Sequence, residues 1–323
     1  MIPSTNWQEK LAVDEESRFD GYAKALAALQ QKKSTTDGKG RALHRKQLAA
    51  ARAQFEILPD LPPHACHGLF AQPARLEAWV RLSNGSRDRQ ADARPDIRGF
   101  SFKVFCAPGP GALGGTANTQ DFLLINQASF PFTGADEFVG FVLAAGGGPA
   151  KLFPYLIGKY GLFGAFRKLK RLSAQVAKPF SGFATETFYS AAPFACGPYA
   201  ARARLLPAGG EKNSQARDDW GADFMRRAAA GPLQFDFQLQ FFVDEARTPI
   251  ENPTVDWSEA DAPYLTVGRL VVPQQAADAA FAQQVEAARF DIWGGLAAHR
   301  PLGEVMRARK AAYYASQQER AVA

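Results

Sequence analysis

Residues 233–242 read LQFDFQLQFF, with Phe235, Phe237, Leu239 and Phe241 alternating with Gln234, Asp236, Gln238 and Gln240. A period of two puts all the apolar side chains on one face of an extended chain, whereas a helix would scatter them around its axis. Such a strand needs a sheet with one face packed, which is the pattern of an antiparallel layer or barrel. Similar short runs occur at ARAQFEIL (51–58), EAWVRLSNG (77–85), RGFSFKVF (98–105), DFLLIN (121–126), YAARARLLPA (199–208) and YLTVGRLVV (264–272). They are separated by Pro, Gly, Asp and Asn clusters. Between 51 and about 130 no helical pattern intervenes, so consecutive strands are expected to pair antiparallel.

Helical patterns frame this β structure. Residues 14–33 form an amphipathic stretch, acidic at its front and basic at its end as the helix dipole favours, followed by the loop STTDGKGR (34–41). Residues 133–180 read as a helical insertion broken by Gly and Pro, and two more helices are expected at about 275–289 and 304–321. With no internal repeat and no low-complexity linker, residues 1–323 are expected to form a single α+β domain. Its plan is an antiparallel β-barrel, an N-terminal helical arm (1–33), a helical insertion (133–180) and C-terminal helices wrapped around it. The 25 Phe, against 8 Tyr and 5 Trp, predict a core of flat apolar rings.

The charge and cysteine content narrow the function classes. The net charge is +6, but the 38 basic residues are scattered, which argues against a nucleic-acid partner. Cys66, Cys106 and Cys196 are odd in number and lack CxxC spacing, so they read as buried thiols in a reducing compartment. The first residues show no basic segment followed by an apolar one, and no run of 18 apolar residues exists. A cytoplasmic protein is therefore expected. The stretch LFPYLIGKYGLFGAFRKLKR (152–171), apolar then basic, reads as a core-packed insertion, with contact to a membrane surface as the alternative.

Four histidines are present. His64 and His67 flank Cys66 in LPPHACHG at no standard metal spacing and read as loop residues. His299 precedes Pro301 and reads as a segment end, and His44, taken alone, as a structural histidine. In WVRLS, alternation puts Trp79, Arg81 and Ser83 on one face and Val80 and Leu82 on the other. If the first face is outside, the strand is an ordinary solvated one; if inside, a buried arginine needs an anion. Asn126 ends the apolar strand FLLIN with a side chain able to donate to a bound oxygen. On a helix, Arg309, Tyr313 and Arg320 fall at about 0°, 40° and 20°, a single stripe. A guanidinium one turn from a phenol favours phenolate, a hard ligand for ferric iron, although a capping helix with surface arginines is the plainer reading.

From about residue 38 to 320 these pieces, in order, resemble the catalase superfamily, and in particular the short bacterial catalase-related haem peroxidases. RALH (41–44) resembles the family's Arg-x-x-His, WVRLSNG its VRFS strand, DIRGFSFKV (96–104) its DPRGFAVKF, and RKAAY (309–313) its Arg-x-x-x-Tyr. TQDFLLIN, ETFYSAAPF, TPIENPTVDW and HRPLGEVMRARKAAYYAS are similar to the short subfamily in particular. The resemblance implies a barrel of catalase type holding haem b (iron protoporphyrin IX) in its cavity. Tyr313 would be the axial iron ligand, Arg309 its partner, and His44, Asn126 and Ser83 the catalytic residues above the haem. Arg41, Arg81 and Arg320 would bind the propionates, and Phe138 would stack on the ring.

The implied function is a peroxidase reducing hydrogen peroxide or organic hydroperoxides through a ferryl intermediate, with weak catalase activity. Its partners would be peroxide and an unidentified organic electron donor, and a homo-oligomer is compatible with the sequence. A lipid hydroperoxide isomerase on the same fold, and a haem-binding or haem-free protein without activity, are the alternatives. The sequence departs from the family where HAKG becomes HRKQ (44–47), VRFS becomes VRLS, and QASFPF (127–132) follows Asn126. These changes are expected to reshape the wall around His44.

Overall fold

The structure, a computed structural model, describes residues 2–210, 212, 216 and 218–321. The strands are β1 (Gln47–Ile57), β2 (Ala74–Asn84), β3 (Arg98–Pro110), β4 (Thr116–Ile125), β5 (Phe188–Tyr189), β6 (Phe194–Cys196), β7 (Tyr199–Pro207), β8 (Leu233–Phe241) and β9 (Tyr264–Val272). The helices are α1 (Glu15–Asp37), α2 (Ala135–Gly146), α3 (Pro149–Val176), α4 (Trp220–Ala230), α5 (Ala279–Ala287) and α6 (Glu304–Arg320). All strand pairings are antiparallel, in the order β5-β4-β3-β2-β1-β9-β8-β7-β6. The two-residue strand β5 closes the sheet by pairing with both β4 and β7, so β6 lies outside an eight-stranded barrel.

The alternation in β8 faces as its sequence predicts. Phe235, Phe237, Leu239 and Phe241 are buried in the barrel, where they meet Phe55, Phe100, Phe102, Phe122 and Phe188. Ring centroids lie 4.7 Å apart for Phe122–Phe237 and 5.5 Å for Phe55–Phe237. An eight-stranded barrel has just enough interior for side chains, and here aromatic rings fill it. The expectation of a cofactor inside a barrel cavity is therefore corrected: any site must lie outside the barrel. Gln240, on the polar face of β8, is buried as well, because loop carbonyls of Trp257 and Ala262 accept from its Nε2 at 2.8 and 2.7 Å.

Other boundaries differ for local reasons. Helix α1 runs past 33 to Asp37 because Thr35 and Thr36 donate back to Lys32 and Lys33 carbonyls and Lys33 pairs with Asp37. Residues that look like a loop are thus satisfied inside a helix, which stops at Gly38 with φ 73°. Helix α4 has no counterpart in the sequence-based expectation; Asp219 caps it by accepting from the Ala222 N–H. Of the three cysteines only Cys196 is buried; Cys66 and Cys106 are partly covered, and all three are free thiols.

The insertion at 133–180 folds as α2 and α3, with α3 broken at Gly161 (φ 67°). Lys168 holds α3 to the body, donating to Pro131 O at 2.8 Å and pairing with Glu137 at 2.5 Å. The outer face of α3 is exposed among the described residues. Helix α6 lies along α1, and Arg307 locks the two together. It reaches Glu9 (2.8 Å), Glu15 (2.7 Å) and Glu251 (3.0 Å). Among the described residues no helix is long and apolar enough to cross a membrane.

Candidate functional site

Three strands bring together residues that are far apart in sequence. Ser83 at the end of β2 faces Gly99 on β3, and Gly99 faces Ile125 on β4, so Ser83, Gly99 and the Ile125–Asn126 corner lie in one row. His44 packs over this row. Its Nδ1 is 3.0 Å from Ser83 Oγ, and a Cβ added to Gly99 would come within 2.6 Å of the same nitrogen. The backbone of His44 is left-handed, with φ 51°, an uncommon state for a residue with a side chain. It is pinned on both sides: its N–H donates to Gly85 O at 3.0 Å, and Arg81 donates to its carbonyl at 3.0 Å. Strain held by surrounding bonds is a pointer to function.

Val80 and Leu82 face the filled barrel interior, which turns Arg81 and Ser83 to the outside of the sheet. Both are nonetheless buried. The face is outside the barrel yet covered, a case between the two alternatives posed by the sequence. The anion that Arg81 requires is Glu286 of α5, whose Oε2 accepts from Arg81 Nε and Nη2 at 3.0 and 2.9 Å. Arg41 reaches the same oxygen at 2.9 Å and donates to Ala288 O at 3.0 Å. Arg320, from the last turn of α6, donates to Glu286 O at 2.8 Å. Two guanidinium groups thus share one carboxylate, and the third is held on the backbone carbonyl of the same residue. Burial, and for Arg41 the neighbouring Arg81, pushes their pKa values down, as expected where positive charge is under-neutralised.

The stripe on α6 also forms. Arg309 Nη2 donates to the Tyr313 hydroxyl, and its Nη1 lies 3.4 Å from Met306 Sδ. Tyr313 packs against the cluster of Ala192, Ile292, Trp293 and Met306. Burial pushes the His44 pKa down to about 3, aided by the charges of Arg81, Arg309 and Arg41. The charge of Arg309 thus reaches the imidazole, although its hydrogen bonds go to Tyr313 and Met306. Asn126 is buried, its Oδ1 accepting from the Arg98 N–H at 2.9 Å, which leaves its NH2 group for another acceptor. Phe138 on α2 is half-buried among Phe130 and Phe132, with centroids 5.1 and 5.4 Å away. Its ring partners belong to that aromatic group rather than to the His44 row.

The sequence departures turn away from the site. Arg45 is buried and donates to Arg41 O at 3.1 Å and to Gly38 O, tying down the loop before His44. Gln47 donates to Ala282 O at 2.8 Å and joins β1 to α5. Among the described residues, no group of three His, Cys, Asp or Glu is placed to hold a metal. His64 and His67 pack against Tyr199, and His64 also against Phe241. His299 is buried and bridges two segments, its Nε2 accepting from the Leu69 N–H at 2.8 Å and its Nδ1 lying 3.1 Å from Ala195 O. Glu286 and Gly99 are the site residues that the sequence did not reveal.

No protein-family model and no curated protein matches the chain. Solved structures do. A fungal catalase superposes with a TM-score of 0.68 at 17% identity, covering 100% of this chain and 68% of that one. Catalase A from Saccharomyces cerevisiae gives 0.69 at 14% identity, covering 100% and 67%, and a bacterial catalase gives 0.67 at 14%, covering 99% and 63%. The chain has the fold of these catalases and spans only part of their length.

Proposed function

We propose that the chain is a haem-dependent peroxidase with weak catalase activity, related to the short bacterial catalase-like enzymes. Its substrates would be hydrogen peroxide or organic hydroperoxides, and an organic molecule would supply the electrons. What supports this reading is the presence of two side-chain pairs of the kinds it requires, His44 on Ser83 at the sheet and Tyr313 held by Arg309 on α6. The residues also fit the cofactor's charge. Arg41 and Arg81 share the Glu286 carboxylate while Arg320 is held on the Glu286 backbone carbonyl, so three guanidinium groups face one carboxylate charge, and the two propionates of haem b would neutralise the excess. Guanidinium is the side chain best shaped to take carboxylates as a planar fork. Tyr313 would ligate the iron through its phenolic oxygen.

Bound there, the haem supplies the redox chemistry of O–O cleavage. The chain's own part is to hold the peroxide and move one proton. Burial keeps His44 neutral at ordinary pH, so one ring nitrogen carries a lone pair. If Nδ1–H donates to Ser83 Oγ, Nε2 is bare and takes the proton from one peroxide oxygen. It then returns that proton to the other oxygen as it departs, which is general acid-base catalysis. Asn126 donates from its amide to the bound peroxide, and Ser83 keeps the imidazole in the required tautomer.

The test is the absorption spectrum of the purified protein supplemented with haemin, beside Tyr313→Phe and His44→Ala. A high-spin ferric tyrosinate spectrum is expected in the wild type, lost in Tyr313→Phe and kept in His44→Ala. The latter should lose roughly 10²–10⁴ in peroxidase rate. Absence of a Soret band in the wild type sinks the proposal.

A further inference from the structure

We propose that the outer face of α3 docks the protein on an anionic lipid surface. This does not depend on the proposed activity. Helix α3 carries Lys151, Lys159, Arg167, Lys168, Lys170 and Arg171 and no Asp or Glu. Its charge therefore equals the whole net charge of the chain, +6, and the remaining residues balance to zero. Lys168 is engaged with Glu137, but the other five are exposed, and none has a carboxylate partner among the described residues. Unpaired cations gathered on one element of an otherwise neutral molecule create a directed positive field.

The same helix carries apolar side chains that the chain leaves uncovered. Phe153 (50%), Ile157 (43%), Leu162 (66%), Phe163 (84%) and Phe166 (72%) are exposed, and no other Phe is exposed among the described residues. A chain that buries its remaining rings so thoroughly places these three in water only on α3. Phe153 and Ile157 are one turn apart before the bend at Gly161; Leu162, Phe163 and Phe166 share the first turns after it. This face cannot simply roll inward. Leu156, Ala165 and Leu172 anchor the opposite side, while Tyr160 and Lys168 both bind Glu137 and Tyr155 donates to Glu137 O at 3.2 Å.

Aromatic and aliphatic side chains flanked by Lys and Arg are the composition of a helix that lies in a membrane interface, its rings in the acyl boundary and its cations among anionic headgroups. A second copy suits the face less well, because two-fold pairing would set the same unpaired cations against one another. The docked helix ends beside the candidate site: Gln127, next to Asn126, donates to Gln175 O at 3.1 Å.

The test is flotation of the full chain with vesicles of phosphatidylcholine alone and of phosphatidylcholine with phosphatidylglycerol. Binding is expected only with phosphatidylglycerol and should weaken in high salt. Phe163→Ser/Phe166→Ser and Arg167→Gln/Lys170→Gln/Arg171→Gln should each weaken it about tenfold or more, with the melting temperature unchanged. Binding that neither variant alters overturns the proposal, as does failure of the wild type to bind at low salt. Loss of a dimer in the Phe variant, seen by sedimentation velocity without any vesicle binding, would instead assign the face to a second copy. None of these readouts needs haem, so they can fail separately from the peroxidase reading.

Discussion

Gly99 sets the closeness of the candidate catalytic row. Its absent side chain leaves room for the imidazole, since a Cβ would stand 2.6 Å from His44 Nδ1 and 2.8 Å from Ser83 Oγ. Gly99→Ala should therefore push His44 off Ser83, lowering the peroxidase kcat/KM of the haem-loaded protein at least tenfold while costing about 1–3 kcal/mol of stability. Steady-state kinetics beside thermal melts separate the two effects. His299 governs a different property. Burial pushes its pKa down to about 4, against 6.5 for the free group. Between those pH values the unfolded chain takes up a proton that the folded chain refuses, so this stabilisation is present above pH 6.5 and lost as pH falls towards 4. In His299→Gln, whose amide can serve both bonds, the fall in urea midpoint between pH 7.5 and 5 should be shallower than in the wild type. Arg81, Ser83, Asn126, Arg309 and Tyr313 stand out because they interrupt apolar strands or share a helical stripe, whereas His44, taken alone, reads as structural and is singled out only by the family resemblance. Glu286 did not, because one Glu on a short amphipathic helix looks like a solvated residue until three arginines are seen around it. Gly99 required the register of three strands, which no local pattern contains.

Among the elements, α6 depends on partners remote in sequence. Arg307 gathers Glu9, Glu15 and Glu251, binding the N-terminal segment, α1 and the 244–262 loop region to the helix that carries Tyr313. Burial pulls its pKa down, but the hydrogen bonds it donates to those carboxylates outweigh that and raise it. Arg307→Met would take the ion-pair partner from Glu15 and Glu251 and leave Glu9 with Arg300 alone. A loss of about 3 kcal/mol is expected in denaturant unfolding, together with faster hydrogen exchange over 304–320. Unchanged exchange in α6 would show that the ion cluster is not what holds it. Long strands with period-two faces were legible without the structure, as were α6 and the paired helices of the insertion. Helix α4 and the strands β5 and β6 were not: two or three residues carry no period, and the pairing of β5 is decided by its neighbours rather than by its own side chains. The end of α1 misled because Ser and Thr favour turns yet can return their hydroxyls to the helix itself.

For the whole molecule, the division between a filled barrel and an outer helix layer decides what can move. Phenylalanine rings pack the barrel wall to wall, and close-packed interiors yield little without a large loss of contact. The candidate site uses that wall only from outside, and α5 and α6 lie over it on small apolar clusters, around Phe281 and Val285 and around Met306 and Ala308, tied down by ion pairs. Local openings follow the weakest-held elements. The protein thus resembles a workbench with a vise fixed to its edge: the bench stays rigid while the jaw turns on its own screw. Opening at the candidate site is then a matter for the N-terminal segment and α6, while the sheet keeps Ser83 and Gly99 fixed beneath His44.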